Sequence, residues 1–498
     1  MAQTTNQKPN IILIMTDQQR LDTIHALGYD YMITPNLDSL TQGGTVFRQA
    51  FCPGATCIAT RAAMFTGMYP HNTGVYSFDQ WGHHYTWVDD LHKNDYYCVN
   101  LGKMHCDPID SKNGFDERRI VENKAGRFLA RHIPMDEWGN FLMDHDITRP
   151  VERHKEIPNW MDLYNAITFE YDDRFHSDYY VGNMVCTWLD RWDQFKPLFL
   201  QIGFPGPHEP YDPPKKYLDL YKDVDVPKPI YKDGEIDEKP PQHRELRNHF
   251  LTTQQEESKI DIAKATDEDV ARMRRHYYAN ITLIDEWIGK ILQKLDDKGM
   301  LENSIVMFCS DHGDNLGDHK MSYKWLMYDT ITNIPLIVKD FRNTDHQTTR
   351  ISDQQVSLMD VGPTILQYAG VPLPSCLEGH SLKGFLDQEE ELENQEYVFS
   401  EDNYLIMIRS REYKMVYYID QTYGELYDLR KDPHELDNLY TNPEYQDIKD
   451  HMSRKLLAWI SRSCYFNSGY KTNKAADYPT RWPDFPQYTN RLIGFNNA

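Results

Sequence analysis

Short, continuous apolar runs alternate along this chain with longer stretches in which apolar residues return every three or four positions. The runs at residues 11–15 (Ile-Ile-Leu-Ile-Met), 198–204 (Leu-Phe-Leu-Gln-Ile-Gly-Phe) and 304–308 (Ser-Ile-Val-Met-Phe) predict strands buried on both faces. Each runs straight into polar residues: Thr16-Asp17-Gln18, then Pro207-His208-Glu209-Pro210-Tyr211, then Ser310-Asp311-His312-Gly313-Asp314. Open α/β sheets bind ligands at the carboxyl ends of their strands, so the three ends predict one shared site.

Between the runs the punctuation is helical. Thr34-Pro35 followed by Leu37, Leu40 and Gly43 supplies an N-cap, a first-turn proline and a glycine stop. Thr266-Asp267-Glu268-Asp269 predicts a capping box opening a long helix, with Tyr277, Ile281, Ile284, Ile288, Leu292 and Leu295 on one stripe and Gly299 at its end. That stripe reads as core packing. Alternating strands and helices predict a large, mostly parallel sheet covered on both faces. Near residue 370 the texture changes: Val371-Pro372-Leu373-Pro374 reads as a linker, followed by alternating segments at 397–400 and 413–418 and a further run at 424–429. The chain therefore divides into a larger unit, residues 1–372, and a smaller unit, residues 373–498, with an antiparallel sheet and an aromatic tail expected to wrap the body.

Composition narrows the function classes. A net charge of −23 opposes general binding to nucleic acid or anionic membranes, though a local basic pocket can still take an anionic substrate. With mean hydropathy of −0.69 and no apolar run near the ~20 residues needed to span a bilayer, no membrane span is expected. Residues 1–9 are polar and lead directly into a core strand, so the sequence as written reads as cytoplasmic, or as periplasmic or secreted if a leader has been removed. Eight cysteines show neither disulfide-framework nor zinc spacing.

The most informative stretch is Cys57-Ile58-Ala59-Thr60-Arg61. A cysteine at a helix start feels the positive end of the helix dipole, and an arginine four residues on returns to the same face. This segment, continued by Ala62-Ala63-Met64-Phe65-Thr66-Gly67-Met68-Tyr69-Pro70-His71-Asn72-Thr73-Gly74, resembles the Cys-x-Pro/Ala-x-Arg maturation signature of type I sulfatases, in the alkaline phosphatase superfamily. Gly102-Lys103-Met104-His105, Pro207-His208-Glu209-Pro210-Tyr211 and Gly424-Glu425-Leu426-Tyr427-Asp428-Leu429 are similar to further family motifs, and the resemblance spans about residues 10–440.

The resemblance implies an alkaline-phosphatase-like α/β fold and a sulfuric ester hydrolase in which Cys57 is oxidised to formylglycine (3-oxoalanine). One hydroxyl of its hydrate would attack sulfur, and loss of the proton on the other would release sulfate. It implies Asp17, Gln18, Asp311 and His312 as ligands of a divalent cation, calcium first, with magnesium or manganese open because oxygens dominate beside one imidazole. Arg61 would grip the anion, Lys103 steady the formylglycine oxygen, His105 take the second hydroxyl's proton, and His208 and Lys324 face the ester oxygen. His71 matches a family position without an assigned chemistry; His83, His84 and His319 read as rim or structural residues.

The pairs Asp17-Gln18 and Asp311-His312 also resemble those of phosphonate monoester hydrolases, and the second pair those of iduronate-2-sulfatase-type carbohydrate sulfatases. A sulfatase is expected, with a phosphonate monoester or phosphodiester hydrolase as the nearest alternative and a non-catalytic anion binder with unconverted Cys57 as a third. Ala59, in place of the proline favoured by aerobic maturases, points to an anaerobic radical maturase as partner. The region 106–196 falls outside the resemblance; its Trp138, Trp160, Tyr164, Tyr171, Tyr179 and Tyr180 predict a rim for a sulfated sugar or other small sulfate ester.

Overall fold

The computed structural model describes residues 8–77, 79–122, 136–253, 258–343, 348–392 and 395–467. The aromatic tail beyond residue 467, expected to wrap the body, lies outside these. Eight strands form the large sheet: β1 (Asn10–Asp17), β2 (Thr45–Phe51), β3 (Tyr97–Gly102), β4 (Glu117–Ile120), β5 (Leu198–Pro207), β6 (Ser304–Ser310), β7 (Asn333–Asp340) and β8 (Arg350–Ser357), in the order β4-β3-β5-β1-β6-β7-β2-β8. All neighbours pair in parallel except β7, which runs antiparallel to both β6 and β2. The three apolar runs are thus central and adjacent, β5-β1-β6, and their polar ends lie side by side.

Alternation in β1 shows why the sheet is covered twice. Ile12 and Ile14 pack with Val181, Val185, Tyr277 and Ile281 on one face, while Ile11, Leu13 and Met15 pack with Ile58, Ala62, Val361 and Ile365 on the other. The first face is covered by the helices Ser177–Arg191 and Asp267–Asp297, the second by Cys57–Thr66 and Val361–Tyr368. The long helix opens on the expected capping box: Asp269 N–H donates to Thr266 Oγ1 at 3.2 Å and Thr266 N–H to Asp269 Oδ2 at 3.0 Å. Its Tyr277–Leu295 stripe is buried core, as expected.

A separate four-stranded antiparallel sheet, β12-β11-β10-β9, follows: β9 (Val398–Asp402), β10 (Leu405–Arg409), β11 (Tyr413–Tyr418) and β12 (Gly424–Asp428). It packs beneath the helix Gln446–Asn467 through Ile406, Ile408, Met415 and Leu426. Among the described residues no helix is long and apolar enough to cross a membrane, and all eight cysteines are free.

The aromatic insertion corrects an expectation. Trp138 is fully buried, with its indole N–H donating to Phe175 O at 2.9 Å, and Trp160 and Tyr164 are also buried. Tyr171, Tyr179 and Tyr180 pack against the same core. Aromatic content does not say which rings face the core, and here Trp138, Trp160 and Tyr164 are core rather than sugar rim, while Tyr171, Tyr179 and Tyr180 are half-buried at its edge.

The loop after β6 is anchored by Asp318, which accepts from Arg20 Nη1 at 2.8 Å, Arg274 Nη2 at 2.7 Å and Ile230 N–H at 2.6 Å. Burial opposes its charge, but Arg274 and Arg20 outweigh burial and lower its pKa to about 2. Asp318→Asn leaves two buried guanidinium groups without their shared carboxylate, an expected loss of ~3–5 kcal/mol in urea denaturation. Because the folded pKa is depressed, the native contribution is complete above about pH 4 and fades as pH falls towards 2. The variant's stability should therefore be flatter than the native protein's across that window, and parallel acid titration curves would contradict the assignment.

Candidate functional site

The site begins with the helix Cys57–Thr66, every residue of which is buried. Thr56 enters it in extended conformation, Thr60 Oγ1 donates back to Gly54 O at 2.7 Å, and the helix stops at Gly67 with φ 72°. Cys57 is its first residue, so the sulfur sits at the positive end of the helix dipole. One turn on, Arg61 is wholly buried: Nε donates to Asp311 Oδ2 at 2.7 Å and Nη1 to Lys103 O at 2.9 Å, while Nη2 has no partner among the described residues.

Lys103 reaches the site because β3 crowds β5. Gly102 turns at φ 101°, and a Cβ there would collide with the carbonyl oxygen of Gly203. The turn carries the buried Lys103 ammonium onto Asp17 Oδ2, at the end of β1. Burial alone would raise the Asp17 carboxyl, but Lys103, with His208, Lys324 and His312, holds it well below the usual carboxylate range. Asp311 is saturated differently: its Oδ1 accepts Gln18 N–H at 3.0 Å and His312 N–H at 2.9 Å, and its Oδ2 accepts from Arg61.

Gln18, at φ 69°, is the crossing point of the polar network. Its Nε2 donates to Asp314 Oδ2 at 2.7 Å and Glu209 Oε2 at 2.9 Å, and its Oε1 accepts from Lys324 Nζ at 3.0 Å. The same Lys324 ammonium lies 3.8 Å from Cys57 Sγ. Burial pushes the Cys57 thiol up, but Lys324 and Lys103 more than offset it and leave the thiol below its ordinary value. Cys52 shows the contrast: buried without a cationic neighbour, its thiol donates to Gly54 O at 2.9 Å and is pushed up to about 12.

One group among the described residues has the spacing of a cation site, Asp17, Cys57 and His312, with ligand atoms within 4.8 Å of one another. His312 Nδ1–H donates to Gly313 O at 2.8 Å, which leaves Nε2 as the ring's acceptor nitrogen, 3.6 Å from Asp17 Oδ1 and 3.8 Å from Asp311 Oδ1. Both Asp17 Oδ1 and His312 Nε2 are buried without a hydrogen-bond partner among the described residues.

All ten candidate residues fall in one region. His208 Nδ1–H donates to Glu209 O at 3.0 Å, and burial together with Lys324 holds the ring well below its ordinary pKa. His105, at φ 58°, is fixed through its backbone N–H to Glu122 at 3.0 Å, and burial followed by Lys103 lowers its pKa to about 3. The other histidines are structural: His71 Nδ1 bonds Glu401 at 2.9 Å, His84 Nε2 bonds Thr73 O at 2.9 Å, and His319 Nδ1 bonds Glu235 at 2.7 Å.

The family described as Sulfatase matches residues 9–371, almost three quarters of the chain. The chain belongs to the sulfatase family. A second family, described as N-sulphoglucosamine sulphohydrolase, C-terminal, matches residues 317–462. An arylsulfatase of Clostridium perfringens is 30% identical over 473 residues, covering 90% of this chain and 94% of that protein. The fold matches phosphonate monoester hydrolase of Agrobacterium radiobacter with a TM-score of 0.77 at 23% identity, covering 92% and 96% of the two chains. It also matches a protein solved in complex with its substrate D-glucosamine-2-N,6-O-disulfate, with a TM-score of 0.72 at 20% identity over 93% and 99%.

As a sulfatase the protein is a sulfuric ester hydrolase. Three acids in this sulfatase site went unselected by sequence reasoning. Asp314 and Glu209 stand inside quoted motifs, and their role in holding Gln18 had a signal in that adjacency. Asp402, from β9, had none: it is buried, yet close enough for the charges of Cys57 and Lys324 to act on it.

In protein with unconverted Cys57, Lys324→Met is expected to move the thiol titration to higher pH, followed by thiolate ultraviolet absorbance against a Cys57→Ala control. In matured enzyme the same change is expected to lower kcat about 10²–10³-fold. An unmoved thiol titration would remove Lys324 from the site's electrostatics.

Proposed function

We propose that this sulfatase hydrolyses a sulfated carbohydrate through a formylglycine made from Cys57, with a divalent cation held by Asp17, Gln18, Asp311 and His312. The observation that carries this reading is the buried Cys57 sulfur at a helix start, ringed by Lys324, Asp17 and His312. The orphaned Asp17 Oδ1 and His312 Nε2 fit a cation, and the oxygen-rich donor set favours calcium, then magnesium or manganese. A bound cation supplies charge neutralisation on the sulfate, and the hydrated aldehyde supplies a hydroxyl nucleophile with a second hydroxyl for sulfate release.

The remaining chemistry belongs to the chain's own side chains. Arg61, with Nη2 uncommitted, offers a fixed donor to a sulfate oxygen. Lys103 stays beside Asp17 to steady the nucleophilic oxygen. His105, neutral because burial and Lys103 depress it, is a base for the second hydroxyl's proton. Lys324, kept charged by Asp17, Glu209 and Asp311 despite burial, donates to the departing alcohol oxygen, and His208 contacts it through Nε2. A carbohydrate leaving group is supported by the structural relative bound to a glucosamine disulfate. We assign residues 1–372 as the catalytic unit and 373–498 as the smaller one, with a radical-type maturase as partner.

A phosphonate monoester or phosphodiester hydrolase remains the second reading, favoured by Asp17-Gln18 and Asp311-His312 and by the fold match. Sulfate against phosphate release from paired aryl esters separates the two. Trypsin releases residues 49–61 as one peptide. In active protein that peptide is expected to carry a hydrazide-reactive aldehyde at position 57, with Cys52 still a thiol and activity scaling with the aldehyde fraction. Chelation is expected to abolish turnover, with calcium or magnesium restoring it. Full activity with wholly unmodified Cys57 would overturn the formylglycine reading, and a fully active metal-free preparation the cation.

A further inference from the structure

His208 reaches the site on an unusual piece of backbone, Pro205-Gly206-Pro207-His208-Glu209-Pro210-Tyr211-Asp212-Pro213-Pro214. Its five prolines have no N–H to give, so its placement falls to the few donors that remain. Two of these, Gly206 and Tyr211, stand on either side of His208, and both are held by residues 165–178, within the region expected to form a substrate rim. Gly206 N–H donates to Asp178 Oδ1 at 2.8 Å, and Tyr211 N–H to Asn165 O at 2.8 Å. In return Ile167 N–H donates to Tyr211 O at 3.0 Å and Phe169 N–H to Pro213 O at 3.1 Å.

Asp178 is the side chain in this cradle that grips the segment before His208. It is fully buried in the first turn of the helix Ser177–Arg191, and its carboxylate lies directly on the glycine: a Cβ on Gly206 would come within 2.3 Å of Asp178 Oδ2. His176, also fully buried, stands behind it. Its Nδ1 accepts Asp178 N–H at 3.2 Å, so in the neutral ring the proton sits on Nε2. That nitrogen faces Asp212 Oδ1 at 3.4 Å, a contact short of full hydrogen-bond geometry, four residues past His208. Beyond His208 the segment is tied to the polar network of the site, because Tyr211 Oη donates to Asp314 Oδ2 at 2.6 Å, the same oxygen that accepts Gln18 Nε2.

We infer that Asp178 is a positioning residue for sulfate ester cleavage: through its hydrogen bond to Gly206, backed by His176, it sets where the His208 ring meets the leaving oxygen. It touches no reacting atom itself. The inference rests on the assignment of His208 to the ester oxygen under the proposed function. Without the Asp178 acceptor a buried Gly206 N–H is left unpaired, and the flanking prolines offer no N–H through which the segment could re-pair. A displacement of ~1 Å at His208 is then enough to weaken its contact with a departing oxygen.

Matured, metal-loaded enzyme is assayed on para-nitrophenyl sulfate, phenyl sulfate and a panel of sulfated monosaccharides. The nitrophenolate departs readily, whereas phenolate and sugar alkoxides depend on a proton or hydrogen bond from the protein. Asp178→Ala is expected to lower kcat/KM for phenyl sulfate by about 100-fold, and for the nitrophenyl ester by roughly tenfold less. Asp178→Asn keeps an acceptor oxygen on Gly206 and is expected to return phenyl sulfate turnover to within about threefold of native. In a His208→Ala background, Asp178→Ala is expected to add less than about threefold, because both changes act on one contact. Should the alanine variant not fold, Asp178→Ser, with a hydroxyl too short to reach Gly206, supplies the same comparison. A purely structural role slows both esters alike. Equal losses on the two esters, no recovery in Asp178→Asn, or full additivity with His208→Ala therefore overturns the inference. Equal losses on both esters in His208→Ala alone overturn the His208 assignment and the inference with it; native aldehyde-bearing enzyme that releases no sulfate from any of these esters overturns the proposed function itself.

Discussion

Two buried carboxylates at the ends of neighbouring parallel strands set the terms for everything around them. Asp17 ends β1 and Asp311 follows β6, and the backbone N–H of Gln18 donates to Asp311 at 3.0 Å. Side by side and out of water, two such acids are unstable unless compensated. Arg61 compensates Asp311 and Lys103 compensates Asp17, each as a fully buried pair. Arg61 must therefore come from a helix packed against the carboxyl ends of the strands, and that constraint delivers Cys57, one turn earlier, to the same spot. Lys103 must come from a strand close enough for Gly102 to touch Gly203. Beyond those two pairs, Asp17 Oδ1 and His312 Nε2 are left without a hydrogen-bond partner among the described residues.

The small sheet is bound to the large one by the same kind of chemistry. Lys414 of β11 is wholly buried and pairs with Asp329 at 2.6 Å and Glu435 at 2.5 Å, while Arg409 of β10 takes the other side of Asp329 at 2.8 Å. Glu401 of β9 accepts His71 N–H at 2.9 Å just beyond the Cys57 helix. Removing one partner of such a cluster is far more costly than exchanging a surface pair, so the contact is specific in register.

The cluster around Cys57 sets Arg61, Lys103 and Lys324 among the carboxylates of Asp17, Asp311, Asp314 and Glu209, so its charges are largely paired inside a chain of net charge −23.

Much of this was legible in sequence because it is local. The apolar runs of β5, β1 and β6, the Thr266 capping box and the Cys57–Arg61 turn each depend on residues within a few positions of one another, and spacing alone specifies them. The polar strand ends announced a shared site for the same reason. Only the tertiary structure could decide which distant groups meet: that β7 enters the sheet antiparallel, that Gln18 is held by Asp314 and Glu209, and that Trp138, Trp160 and Tyr164 turn inward. A side chain's periodicity encodes its face on its own element, whereas its partner across space depends on how elements dock. Docking here is settled by which buried charges find compensation, a property of pairs far apart in the chain that no local pattern carries.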